Sequence, residues 1–130
     1  MRAVFLLIFA AVLFAAPVND QAAPSGEAWL KLVDNAKYAD SWKEASSYFR
    51  SRVPEKTWVS MVQGVRAPLG SLVSRTQPSV TFAKTLPGAP DGNYALMQFQ
   101  SSFQKKSSAI ETLTVMAEGD QWRVAGYFIR

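Results

Sequence analysis

Apolar positions recur at helical spacing through the first half of the chain and alternate through the second, so an exchange of helices for strands is expected near Ser71. Glu27–Ala39 sets Trp29, Leu32 or Val33, and Ala36 on one stripe, which Asp40-Ser41 interrupts. Ser41-Trp42-Lys43-Glu44 matches a capping box, in which the serine oxygen accepts from the third helical amide and the glutamate reaches back. A second helix is therefore expected to run to about Arg52, with Trp42, Ala45 and Phe49 on its buried face. Pro54 suits the first turn of a third helix and Glu55 its positive end. Trp58, Met61 or Val62, and Val65 line that helix, and Pro68 and Gly70 stop it.

Beyond Ser71, segments rich in β-formers (Val80, Phe82, Tyr94, Leu96, Thr112, Thr114) alternate in polarity. The turn-rich run Pro87–Asn93 is expected to join two antiparallel strands, Lys105–Ser108 to form a second turn and Glu118-Gly119-Asp120 a third. Strands are placed at 71–86, 93–104, 108–118 and 121–130. Helices followed by strands predict an α+β fold, with three N-terminal helices packed on one face of a four-stranded antiparallel sheet.

The N-terminus has a different character. Met1-Arg2 precedes the uncharged apolar run Val4–Ala16, shorter than the ~20 residues of a spanning helix and of the length of an export-signal core. Export to the periplasm or exterior is expected, with cleavage between Ala15 and Ser25 and no stable membrane insertion afterwards. Pro17 and Pro24 disfavour the bonds they follow, and Asn19–Gly26 reads as a flexible leader. Residues 1–25 are thus assigned to signal and leader and 26–130 to a single domain.

Composition narrows the chemistry. The chain has no cysteine and no histidine. Thiolate nucleophiles, disulfides, thiolate or imidazole metal sites and an ordinary serine–histidine–aspartate triad are all excluded. No metal site and no cofactor are expected. The net charge of +4 is spread along the chain, its densest pair being Lys105-Lys106, so no nucleic-acid stripe is present.

The elements Ala28-Trp29-Leu30, Tyr38-Ala39-Asp40-Ser41-Trp42, Trp58, Arg66-Ala67-Pro68-Leu69-Gly70, Arg75, Pro87–Gly92, Tyr94, Phe103, Glu111-Thr112 and Trp122–Tyr127 resemble the domain-of-unknown-function family 4019 over about Glu27–Arg130. The resemblance implies an exported bacterial protein without an established activity. It also implies similarity to the cone-shaped, nuclear-transport-factor-two-like fold, in which a curved sheet wraps a helix around a pocket. Members of that fold with acid–base activity use an aspartate–histidine pair, which a chain without histidine cannot supply.

Glu111 is the carboxylate of greatest interest. Period-two counting puts it on an apolar face with Ala109, Leu113, Val115 and Ala117, where a charge needs a partner. Arg66 and Arg75 are the candidate partners, since arginine can present two parallel donors to a carboxylate. The residues leave three readings open: a pocket acid, a buried Glu–Arg pair, or a bulge that turns Glu111 outward. Arg66 also suits a helix C-terminus. Asp40 and Glu44 are four apart, but Ser41 as cap would leave Asp40 outside its helix. The pocket candidates are Glu111, Arg66, Arg75, Tyr94, Trp42 and Tyr127. A binding or accessory module for a small ligand or a protein is expected, without an assigned catalytic residue. The alternatives are a hydrolase or isomerase using Glu111 and a domain that assembles, for example as a homodimer, through its sheet.

Overall fold

The computed structural model describes residues 16–130; the apolar run expected to direct export lies outside the described residues up to Ala15. After a 3-10 turn at Asn19–Gln21, helix α1 spans Ala22–Asp34. The stretch Asn19–Gly26, expected to be a flexible leader, is therefore ordered backbone. Ala22 and Gly26 continue the face of Trp29, Leu30 and Val33, and Pro24 falls in the first turn, where its missing N–H costs nothing. Gly26 lets this face approach the sheet closely. A Cβ there would lie 2.6 Å from Met97 Cε and 2.8 Å from Leu113 Cδ2.

Helix α1 ends sooner than its stripe suggests. The Lys37 N–H donates to Leu32 O (2.8 Å) and the Ala36 N–H to Val33 O (3.0 Å), a Schellman closure. Ala36 takes the left-handed position at φ 58°. A β-carbon is strained in that conformation, whereas glycine is at ease there. Ala36→Gly is expected to raise stability by about 0.5–1 kcal/mol, the relieved strain exceeding the added freedom of the unfolded chain. Urea unfolding of the two proteins measures it.

Among the described residues, four α-helices form where three were expected. Helix α2 (Tyr38–Glu44) and helix α3 (Ser47–Arg52) replace the single helix expected over 41–52. Ala45 turns extended, the Ser46 N–H donates to Val124 O (2.8 Å), and Ser46 Oγ caps α3 by accepting from the Phe49 N–H (3.0 Å). Ser46 is the N-cap. Ser41 is an interior residue of α2, fully buried: its hydroxyl donates to Tyr38 O (2.6 Å) and accepts from Trp58 Nε1 (2.9 Å), and its carbonyl accepts from Trp29 Nε1 (2.8 Å). Asp40 consequently lies inside α2 and not ahead of it. Helix α4 spans Glu55–Arg66, and a 3-10 turn, Ala67–Leu69, closes it before Gly70 at φ 73°.

The sheet is open and antiparallel and has, among the described residues, five strands where four were expected: β1 Leu72–Arg75, β2 Ser79–Ala83, β3 Tyr94–Phe103, β4 Lys106–Glu118 and β5 Gln121–Ile129. Both β1 and β2 pair with β3, so the expected strand 71–86 exists as two pieces along one partner. Pro78 lacks the ladder donor, and between the pieces the Gln100 N–H turns to Thr76 Oγ1 (3.2 Å). The turn after β3 is tighter than expected, since Lys106 already pairs with Phe103.

The helices cover one face. Met97 and Phe99 of β3 and Leu113 and Val115 of β4 meet Trp29, Leu30, Trp58 and Val62 in the core. β5 carries a bulge: Thr114 pairs with Gly126 and Val115 with Val124, leaving Ala125 over. Strict alternation from Trp122 and Val124 would turn Tyr127 outward. The extra residue returns it to the core face.

Candidate functional site

A row of polar side chains crosses the core face. The register aligns Arg75 of β1 with Ser101 of β3, and Ser101 with Ala109 of β4, one inward position before Glu111. The β5 bulge brings Tyr127 opposite Leu113, on the other side of Glu111. Each strand from β1 to β5 along this path thus supplies one polar group. Two helix ends complete the set: Asp34 is the last residue of α1 and Arg66 the last of α4.

The hydrogen bonds form one connected network. Glu111 Oε1 accepts from Arg75 Nε (2.8 Å) and Ser101 Oγ (2.5 Å), and Glu111 Oε2 accepts from the Tyr127 hydroxyl. Arg75 Nη1 and Nη2 make a bidentate pair with Asp34 (2.8 and 2.9 Å). Arg66 Nη2 donates to Asp34 Oδ1 (2.9 Å), and Arg66 Nη1 lies 3.5 Å from the Tyr127 oxygen. Two guanidiniums thus balance two carboxylates. Glu111 is 0 % exposed and Arg66 5 %. The guanidiniums also rest on aromatic rings, Arg66 at 4.7 Å from the Phe103 centroid and Arg75 at 5.8 Å from Phe99.

Burial and pairing set the protonation. Burial alone would raise the Asp34 carboxyl, but the Arg75 and Arg66 guanidiniums outweigh it and hold that group below its ordinary value. Burial opposes the charge on Arg75 as well, and Asp34 and Glu111 more than restore it, raising the guanidinium above its ordinary value. Burial and the adjacent Glu111 push the Tyr127 phenol well up, so it keeps its proton and donates.

Of the six pocket candidates, the structure brings together Glu111, Arg66, Arg75 and Tyr127. Arg75 is the direct partner of Glu111, while Arg66 reaches it only through Tyr127 and Asp34. Tyr94 and Trp42 stand apart. Tyr94 has the opposite parity on β3 from buried Met97, Phe99 and Ser101, and its hydroxyl donates to Pro90 O in the preceding turn. Trp42 Nε1 donates to Val53 O (2.7 Å), which ties α2 to the end of α3. Asp34 and Ser101 belong to the network although the sequence reading named neither. Among the described residues, no three acidic, histidine or cysteine side chains gather as metal ligands.

Chemically, the carboxylate oxygens of the network are engaged, while Arg66 Nε is buried without a hydrogen-bond partner among the described residues. Both carboxylates are neutralised, and Glu111 already accepts from three donors. One cleft, about 320 Å³, touches the network at Ser101, and larger ones lie further off. One of about 480 Å³ runs between α1, α2 and β5 over Trp29 and Trp122, with Asp40, Glu44 and Arg123 on its walls. Glu44 is there engaged by Arg123 (3.0 Å). A smaller apolar groove, about 170 Å³, lies between α4 and the end of β5, with Tyr127 of the network in its lining. No helix among the described residues is long and apolar enough to cross a membrane.

No curated protein and no solved structure matches the chain, so the expected similarity to the cone-shaped fold finds no support there. A family model described as "Protein of unknown function (DUF4019)" matches residues 25–127. That span runs from the first turn of α1 to Tyr127 and takes in every member of the buried network. The chain belongs to the DUF4019 family.

Proposed function

We propose that this protein is an exported binding module that accepts an extended segment of another protein as an added strand along β5. Export rests on the apolar run Val4–Ala16 behind Arg2. Strand addition rests on the C-terminal part of the β5 edge, beyond Val124, whose carbonyl is taken by the Ser46 N–H. Arg130 and Ile110 exchange both main-chain hydrogen bonds (2.9 and 3.0 Å). By antiparallel alternation, Phe128 and Gly126 are also bonded to β4, and the N–H and C=O groups of Tyr127 and Ile129 point away from it. Among the described residues no main-chain group meets them.

An apolar groove lies beside that edge, with Met61 and Val65 of α4 and Phe128 of β5 exposed by 56, 50 and 56 %. Main-chain donors and acceptors next to a groove for alternate side chains are the two requirements of strand addition. The other side of the sheet is blunted by short β1 and β2, a bulge and Pro78. Catalysis by Glu111 has less support, because its oxygens are occupied by Arg75, Ser101 and Tyr127. Assembly through the sheet face has less support too, since Gln98 and Gln100 are exposed there.

Selection of displayed random peptides on the domain tests the proposal. Extended sequences with alternating apolar residues are expected to be enriched. Phe128→Lys should weaken their binding at least about tenfold, the loss of ~1.4 kcal/mol. Ile129→Pro removes an outward donor without touching the β4 ladder and should abolish binding. Undiminished binding by that variant overturns the proposal. A concentration-dependent dimer that the peptides dissociate would make a second copy the partner.

A further inference from the structure

Gly126 stands where neither the backbone nor the packing demands a glycine. It lies within β5, paired with Thr114 of β4, and its φ is outside the left-handed region. A Cβ built on it meets nothing within 4 Å. Glycine inside a strand weakens the strand, through lost conformational freedom and a missing side chain to pack. Nothing within the fold offsets that cost here.

The bulge decides which face carries the opening. It turns Tyr127 toward the helices, so Gly126 and Phe128 lie on the opposite face, beside Thr114 and Thr112 of β4. Phe128 is exposed there. A bare stretch of backbone thus adjoins a bare ring. Both border the part of the β5 edge where the outward groups of Tyr127 and Ile129 have no main-chain partner among the described residues.

An antiparallel segment that takes those outward groups has its register fixed by them. Its residues opposite Ile129 and Tyr127 exchange the main-chain hydrogen bonds and turn their side chains to the α4 groove. The residue between them lies opposite Phe128. The next one lies opposite Gly126, with Phe128 on its diagonal, a separation that aromatic side chains span. A ring in that place covers the glycine and meets Phe128. Aromatic cover of an edge glycine stabilises strand pairing, and paired rings contribute beyond the area they bury. A charged side chain would leave both the glycine and the ring uncovered.

We infer that the partner segment is recognised through an aromatic side chain seated over Gly126 against Phe128. In the partner's chain order the pattern is an aliphatic residue, any residue, a second aliphatic and then the aromatic. The two aliphatics enter the α4 groove. The inference rests on the strand-addition reading above and turns a general apolar alternation into an ordered pattern.

Fluorescence anisotropy tests it, with labelled, end-capped peptides carrying valine, threonine, valine and tyrosine in that order within a threonine-rich frame. Replacing the tyrosine by lysine should weaken binding to the wild type about fivefold. Gly126→Glu should reverse this preference, because an opposite-charge pair across the strands takes the place of the ring over glycine. The open space at Gly126 lets that variant fold, which thermal unfolding checks; the comparison on the wild type decides even if it does not. Equal affinity of the wild type for the two peptides overturns the inference, as does an unchanged preference in a folded Gly126→Glu. Strand addition survives either result as long as Ile129→Pro abolishes binding. Tighter binding of a peptide with the same residues in reverse order overturns the stated pattern. No binding of either peptide, or binding that Ile129→Pro leaves intact, removes strand addition and the aromatic seat together.

Discussion

Glu111→Gln is expected to cost about 3–5 kcal/mol, the range for breaking a buried ion pair by removing one partner. Glutamine keeps the shape of the side chain, so little of the loss comes from packing. The charge is lost, and an amide N–H₂ must now face one of three donors: Arg75 and Ser101 at one oxygen, or Tyr127 at the other. Arg75 retains Asp34, which must then serve two guanidiniums alone. Urea unfolding followed by tryptophan fluorescence measures the difference. A double variant, Glu111→Met with Arg75→Met, should recover part of the loss, since an apolar pair leaves no buried charge. A cost under ~1 kcal/mol for Glu111→Gln would show that the network contributes little to stability.

Asp34→Asn is expected to cost about 3 kcal/mol at pH 7, at the lower end of the same range because the Asp34 side chain is 14 % exposed. Its pH dependence carries the sign. The carboxyl lies below its ordinary value of 3.8 in the folded protein, so the unfolded chain binds its proton first as pH falls. Its contribution is complete well above pH 3.8 and is lost as pH falls through the depressed folded value. The stability gap between wild type and variant should therefore be widest at neutral pH and shrink below about pH 4. Glu118 is also held low, by its bonds to Ser47, and adds to acid sensitivity in both proteins. Subtracting the variant's curve isolates Asp34. A gap that stays constant from pH 7 to pH 2 would contradict the assignment.

Local pattern in the sequence is a sound guide where the tertiary structure agrees with it. Period-two counting along Ala109, Leu113 and Val115 put Glu111 on the apolar face, and β4 holds it there. Local pattern fails where a distant partner decides. The stripe Trp42, Ala45, Phe49 runs straight through the gap between α2 and α3, which is held open by the Ser46 bond to Val124 of β5. Asp34 looked like one more polar position inside a helix extending to Ala39. Only the closure at Ala36 makes it a helix end, free to reach two arginines. The unusual φ of an alanine leaves no mark in the sequence. Ser101 carries no charge and sits among other serines, so nothing local singled it out. Tyr127 was named from its aromatic character and the family resemblance; its face depends on the bulge, which alternation alone does not foresee.

The spare residue at Ala125 bears on how sequences of this family should be aligned. A homologue shorter by one residue between Val124 and Tyr127 would form a regular strand there, and its tyrosine would still face Glu111. A homologue shorter by two would turn that tyrosine to the opposite face, even if the residue itself is identical. At this point of the chain, then, the length of a gap says more about the tyrosine's role than its identity does.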